Sequence, residues 1–176
     1  MYSSSASIKS EIEPEIEPEM ESEMKAYRYC ICTSVGAKSL QVLLEASGKG
    51  NYKDEHPWLV AREFLDAATR DVTRLPILFA TGKPSEFSHW GYIQGIEVFE
   101  LHRGQWETHC EFSPLVAVNP IWTDIDSVFL KPSDEQLRRE ELESIHQHRY
   151  ALSEGELHPY SICETPPFIL AEAMTE

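Results

Sequence analysis

Residues 75–101 read LPILFATGKPSEFSHWGYIQGIEVFEL, and the fold class turns on this stretch. Leu75 to Ala80 is a short apolar run, the pattern of a strand buried on both faces that starts just after Pro76. The polar segment Thr81-Gly82-Lys83-Pro84-Ser85-Glu86 ends it. Residues 89–101 and 106–112 then pair as a hairpin around His102-Arg103-Gly104-Gln105. In its first strand Ile96 and Val98 face one way, while Ile93, Phe99 and Leu101 face the other. Both faces therefore need cover, and Gly91 and Gly95 permit the bends that curling a sheet requires.

Upstream, Tyr27, Tyr29, Ile31 and Thr33 alternate with Arg28, Cys30 and Cys32, a period of two that predicts a strand. Residues 37–47 have helix formers and an apolar cluster, and Gly48 stops them. The segment GKGNYKDEH reads as a loop. Pro57 opens a helix over 57–71, where Trp58, Ala61, Leu65 and Ala68 form an apolar stripe flanked by Val60 and Phe64. Downstream, 115–118 (LVAV) is a strand candidate before the turn at Asn119-Pro120. Ser133 stands three before Gln136, a capping-box spacing that starts a helix over 134–148. His158 to Ile162 reads as a last strand, and ETPPF ends the regular structure. The order predicts an α+β fold, a small mixed or antiparallel sheet curled into a barrel or half-barrel with flanking helices.

The first 25 residues differ in kind. EIEP occurs twice in tandem, at Ile12-Glu13-Pro14 and Ile16-Glu17-Pro18, and prolines four apart block a helix while the glutamates oppose collapse. Residues 1–25 are expected to be a disordered acidic tail, 26–170 one domain, and 171–176 a flexible C-terminus. At 41% apolar and 10% aromatic residues, the 176-residue chain has enough to build a core. Four cysteines are too few for a disulfide scaffold, and no apolar run reaches the roughly 20 residues of a membrane span. The expectation is a cytoplasmic protein with reduced thiols and no membrane partner.

The net charge of −15 is unevenly spread. Residues 1–27 hold seven Glu against two Lys, and residues 84–176 hold seventeen acidic residues against five basic. Only 28–83 is positive, with eight basic residues (Arg28, Lys38, Lys49, Lys53, Arg62, Arg70, Arg74, Lys83) against six acidic. Any face that grips a phosphate backbone has to come from that segment. The acidic remainder, or the tail, offers a surface for a basic protein partner.

Chemistry is harder to place. Thr81-Gly82-Lys83-Pro84-Ser85 is no phosphate loop, because Pro84 stands where the hydroxyl residue belongs. Cys30, Cys32, Cys110, Cys163, His109, His146, His148 and His158 are possible metal donors, but their spacings do not match paired zinc ligands. Core thiols, with no metal and no cofactor, are the expectation. No nucleophile motif occurs. The most suggestive feature is the concentration of Phe79, Thr81, Lys83, Ser85, His89, Trp90 and Tyr92 around one loop between two strands. Aromatic faces there would stack a flat ring while hydroxyls and main chain read its edge.

The order of a first strand, helices, and LPILFATGKP before HWGYIQGIEVFE resembles the PUA-like superfamily, especially its ASCH and EVE branches, over about residues 27–130. That resemblance implies a small barrel with flanking helices that binds RNA, or modified or extruded bases. Some ASCH-type proteins are amidohydrolases on modified nucleosides with a Lys, a Thr and a Glu in the pocket, types that Thr81, Lys83 and Glu97 would supply here. Three readings are open: a module that holds a nucleobase or modified nucleotide between Trp90, Tyr92 and Phe79, a small amidohydrolase in the same pocket, and an acidic interaction protein or nucleic-acid mimic.

Overall fold

A computed structural model describes residues 24–46, 50–145 and 148–175. Two apolar strands, β1 (Tyr29–Ser34) and β3 (Leu75–Thr81), pair in parallel, with Ile31 opposite Ile77 and Ser34 opposite Ala80. Parallel strands need a long crossover. Here it comprises α1 (Ala37–Glu45), the short strand β2 (Gly50–Asp54) and α2 (Leu59–Arg70). The chain continues through β4 (Glu86–His102), β5 (Gln105–Phe112), β6 (Val116–Ala117), α3 (Asp134–Glu143), β7 (Ser161–Glu164) and α4 (Pro167–Thr175). One seven-stranded mixed sheet results, in the order β2-β5-β4-β3-β1-β7, with β6 also on β4. It is α+β as expected, and the sheet is not closed into a barrel, because β2 and β7 lie at opposite ends of the order.

The central strands are buried on both sides, which divides the interior in two. Tyr29, Ile31, Ile77 and Phe79 face a first core that α1 and α2 close with Leu40, Leu43, Trp58, Ala61 and Ala68. Cys30, Cys32, Leu78 and Ala80 face a second core with Phe87, Trp90, Leu152, Leu157, Cys163 and Ile169. Strands with two buried faces read as continuous apolar runs, which is why LPILFA stands out in the sequence. Beside β7, the Arg149 guanidinium grips Glu140 of α3 at 2.6 and 3.0 Å and Glu164 of β7 at 2.9 Å. These charge-assisted bonds tie the surface helix to the edge strand.

Several expectations need correction. The segment read as a loop contains β2, an edge strand whose Tyr52 pairs with Cys110 of β5 and leans on the first core while Asn51 and Lys53 stay exposed. Polar residues on the outer face hid it. The second helix starts at Leu59 with Trp58 as its cap residue, so Pro57 lies outside rather than in the first turn, and Leu65 is only partly buried. A register shift between Ile93 and Gly95 puts Ile93, Ile96 and Val98 against the same core, leaving Phe99 and Leu101 exposed. Ser133 does cap α3, accepting from the Gln136 amide at 3.1 Å, but the helix stops at Glu143 where Ser144 turns left-handed. Regular structure continues past ETPPF, because α4 runs from Pro167 to Thr175. Of the acidic tail, 1–23 lies outside the described residues, and the Lys25 carbonyl already accepts from the Arg74 amide at 3.0 Å. Among the described residues no helix is long and apolar enough to cross a membrane.

Two substitutions test this packing. Ile77 is fully buried in the central strand, so Ile77→Ala should lower unfolding free energy by about 2–5 kcal/mol in urea titration. Val72, at φ 55° just past the end of α2, holds a left-handed conformation that a β-branched residue resists. It is exposed, so Val72→Gly should stabilise the protein by about 1 kcal/mol.

Candidate functional site

Parallel strands end side by side, and the loops leaving their carboxyl ends diverge and open a crevice. β1 ends at Ser34 and turns through Val35 and Gly36 into α1, while β3 ends at Thr81 and turns through Gly82 to Ser85 into β4. The Val35 amide donating to the Ala80 carbonyl at 2.8 Å keeps the two exits level. Between them lies a cleft of about 700 Å³, within the size range of small-molecule sites. Its walls are Ser34, Val35, Gly36, Ala37 and Ser39 from the first exit, and Ala80, Thr81, Gly82, Lys83 and Ser85 from the second. Tyr52 and Lys53 of β2 close one side, and Glu154 and His158 the other.

Each wall is braced. Gly82 takes φ +90°, which glycine alone adopts without strain, and the Ser85 hydroxyl lies 3.2 Å from its carbonyl. Glu154 clamps the same turn, accepting from the Ser85 amide at 2.7 Å and the Ser85 hydroxyl at 3.0 Å. Both of its oxygens are thereby engaged. The buried Thr33 hydroxyl donates to the Pro159 carbonyl at 2.7 Å and holds the segment carrying His158 against β1. Tyr52 is supported from behind by Phe79 and Trp58, with ring centroids 5.6 and 5.9 Å away. Burial first, then the Asp54 carboxylate, pushes its phenol pKa up, so it presents a neutral hydroxyl. At Gly36 no side chain caps α1, and the first-turn amides of a helix have no partner within it. Two lysines and these amides stand against one carboxylate, Glu154, so the cleft lining is net positive on a chain of net charge −15.

The loop residues named from the sequence separate into two groups. Thr81, Lys83 and Ser85 line the cleft. Phe79, Trp90, Tyr92 and His89 do not. Phe79 is fully buried in the first core, and Trp90, 3% exposed, lies in the second, so the sheet stands between them and they cannot sandwich one ring. Tyr92 is half-buried, with Trp90 edge-on at 5.1 Å and the Arg74 guanidinium 3.8 Å over its ring. His89 is half-buried, and its Nδ1 has no hydrogen-bond partner. Glu97 is exposed on the hairpin, paired with His109 of β5 and away from the cleft. The carboxylate that the cleft does contain is Glu154.

Sequence reasoning missed Ser34, Gly36, Ser39, Tyr52 and Glu154, and named Lys53 only among the basic residues of 28–83 and His158 only as a possible metal donor. The signal for the first three was Gly36 directly after a strand, where a crevice-forming turn into a helix belongs. Tyr52 went unseen, and Lys53 was not placed beside the 81–85 loop, because β2 read as a loop.

All four cysteines are buried and free. Cys30, Cys32 and Cys163 share the second core, with the Cys30 and Cys32 sulfurs 3.9 Å apart. Burial raises the Cys30 and Cys32 thiol pKa values, and that of Cys110 reaches about 12. Protonated thiols are poor ligands and poor nucleophiles. Among the described residues no group of three or more His, Cys, Asp or Glu side chains is placed to hold a metal ion.

Burial also lowers the His89 pKa. A histidine whose folded pKa lies below its unfolded value costs nothing at high pH and costs stability once the unfolded chain takes up protons, below about pH 6.5. His89→Leu should therefore gain stability relative to the parent as pH falls from about 7 to 5, read as a widening difference in melting temperature. No protein-family model, no curated protein and no solved structure matches this chain.

Proposed function

We propose that this protein is a PUA-like binding module that takes a nucleobase or modified nucleotide, single-stranded or extruded, into the cleft between the carboxyl ends of β1 and β3. The observation that carries this reading is the cleft itself: about 700 Å³, lysine-lined and flanked by a flat tyrosine ring, on an otherwise acidic chain. Tyr52 supplies a face for a base. The hydroxyls of Ser34, Ser39 and Thr81 and the main chain around Gly36 and Gly82 supply edge contacts, and Lys53 and Lys83 supply charge for the backbone. All basic members of the set come from the 28–83 segment, the one stretch of the chain with net positive charge.

A second reading has one observation in its favour. Thr81, Lys83 and Glu154 meet in the cleft, the three residue types that the ASCH-type amidohydrolases use. Release of the acyl group from an N-acylated nucleoside, lost in Lys83→Met, would make the module an enzyme.

Binding is measured by titrating a panel of single-stranded and base-modified oligonucleotides at about 50 mM salt. Tyr52→Leu keeps apolar packing but removes the flat ring, and should weaken binding about 5- to 150-fold. Lys83→Ala should mainly lower the salt dependence, by about one unit of slope. Failure of every oligonucleotide and nucleoside to bind below about millimolar overturns the reading and leaves an acidic protein-interaction surface as the better account.

A further inference from the structure

The five-residue turn Asp54-Glu55-His56-Pro57-Trp58 is held far more firmly than a surface turn needs. Asp54 Oδ2 accepts from Trp58 Nε1 at 2.8 Å, from His56 Nδ1 at 3.0 Å and from the His56 amide at 3.3 Å. The Thr108 hydroxyl donates to the His56 carbonyl at 2.6 Å and accepts from the Trp58 amide at 3.1 Å. The His56 backbone and ring are thus both fixed. A carboxylate only accepts, so Nδ1 carries the hydrogen and Nε2 is the nitrogen left to gain a proton.

The His56 ring stands perpendicular to that of His158, with centroids 4.9 Å apart. His158 is exposed and lines the cleft. Two imidazoles in contact share one carboxylate, and Asp54 is bound to His56. A proton on His56 is compensated there, whereas a proton on His158 has no paired carboxylate among the described residues. The other titratable groups lining the cleft with His158 are Lys53 on β2, Lys83 in the 82–85 turn, the Tyr52 hydroxyl and Glu154. Glu154 is held by Ser85 but keeps its negative charge, which offsets one of these cations. Asp54, Glu55 and Glu107 line a separate hollow of about 300 Å³ on the other side of Lys53. With His158 protonated, the cleft lining holds three cations, Lys53, Lys83 and His158, against the single carboxylate of Glu154, an excess that an anion in the cleft would balance.

We infer that His158, backed by His56 and flanked by Lys53 and Lys83, contacts a phosphodiester next to the bound base, so that the ligand is a phosphate-bearing strand and not a free nucleoside, held more tightly when His158 is protonated. This inference rests on the base-binding reading of the same cleft and adds the ligand's phosphate and its dependence on pH. Histidine takes up its proton between about pH 8 and pH 5, a range in which a phosphodiester keeps its single charge. A change in affinity over that range then reports on the protein.

The test compares each of the four ribonucleosides with the matching dinucleoside monophosphate, by calorimetry on the full chain at about pH 8 and about pH 5.5. The dinucleotide should bind about tenfold or more tightly at the lower pH, while nucleoside affinity stays constant. His158→Gln should abolish the pH dependence and leave nucleoside affinity intact, which also shows that the variant is folded. Should that variant fail to fold, the parent's pH series decides alone. Equal binding of nucleoside and dinucleotide at both pH values overturns this inference and leaves base recognition standing. Binding of neither overturns both.

Discussion

The pairing of β1 with β3 is the constraint on which the rest depends. Two adjacent parallel strands at the middle of a sheet must be joined by a crossover, and the crossover supplies the helices that close the first core. Because both strands are buried on both faces, a second layer must cover the other side, and the chain after β5 provides it. The same pairing leaves two strand ends level at Ser34 and Thr81, one loop passing into α1 and the other turning back into β4. The cleft follows from the topology, and the residues on those loops determine what it can hold.

Charge adds a second constraint. On a body of net charge −15, an anionic ligand approaches against a repulsive field. For the anionic ligand proposed above, Lys53, Lys83, His158 and the start of α1 at one opening, offset in part by Glu154, would supply a local attraction. A flat ring can add to this by resting on Tyr52, which is held in place by Phe79 and Trp58.

How far the sequence was legible follows residue burial. LPILFA and the alternation from Tyr27 to Thr33 could be read as strands because burial on both faces leaves little choice of residue. The α2 stripe could be read from Trp58, Ala61 and Ala68 for the same reason, although Leu65 lies at its margin. β2 could not be read, since an edge strand with an exposed outer face carries Asn51 and Lys53 like any loop. The site was half legible: Thr81, Lys83 and Ser85 follow a strand directly, whereas Glu154, 69 positions beyond Ser85, and His158 arrive through a fold that local pattern does not encode. Trp90 and Phe79 looked like one platform because they are close in sequence. The two faces of the sheet separate them.

The most direct measurement of the central claim is a map of backbone amide chemical shifts in the full chain as a single-stranded oligonucleotide is added. The account predicts that perturbations concentrate at Ser34 to Ser39, Tyr52 and Lys53, Thr81 to Ser85, and His158, with the Trp90 to Tyr92 segment and the Phe99–Leu101 hairpin end unchanged. Perturbations centred on the hairpin end or on Trp90, with the residues around Gly36 and Lys83 still, would contradict it.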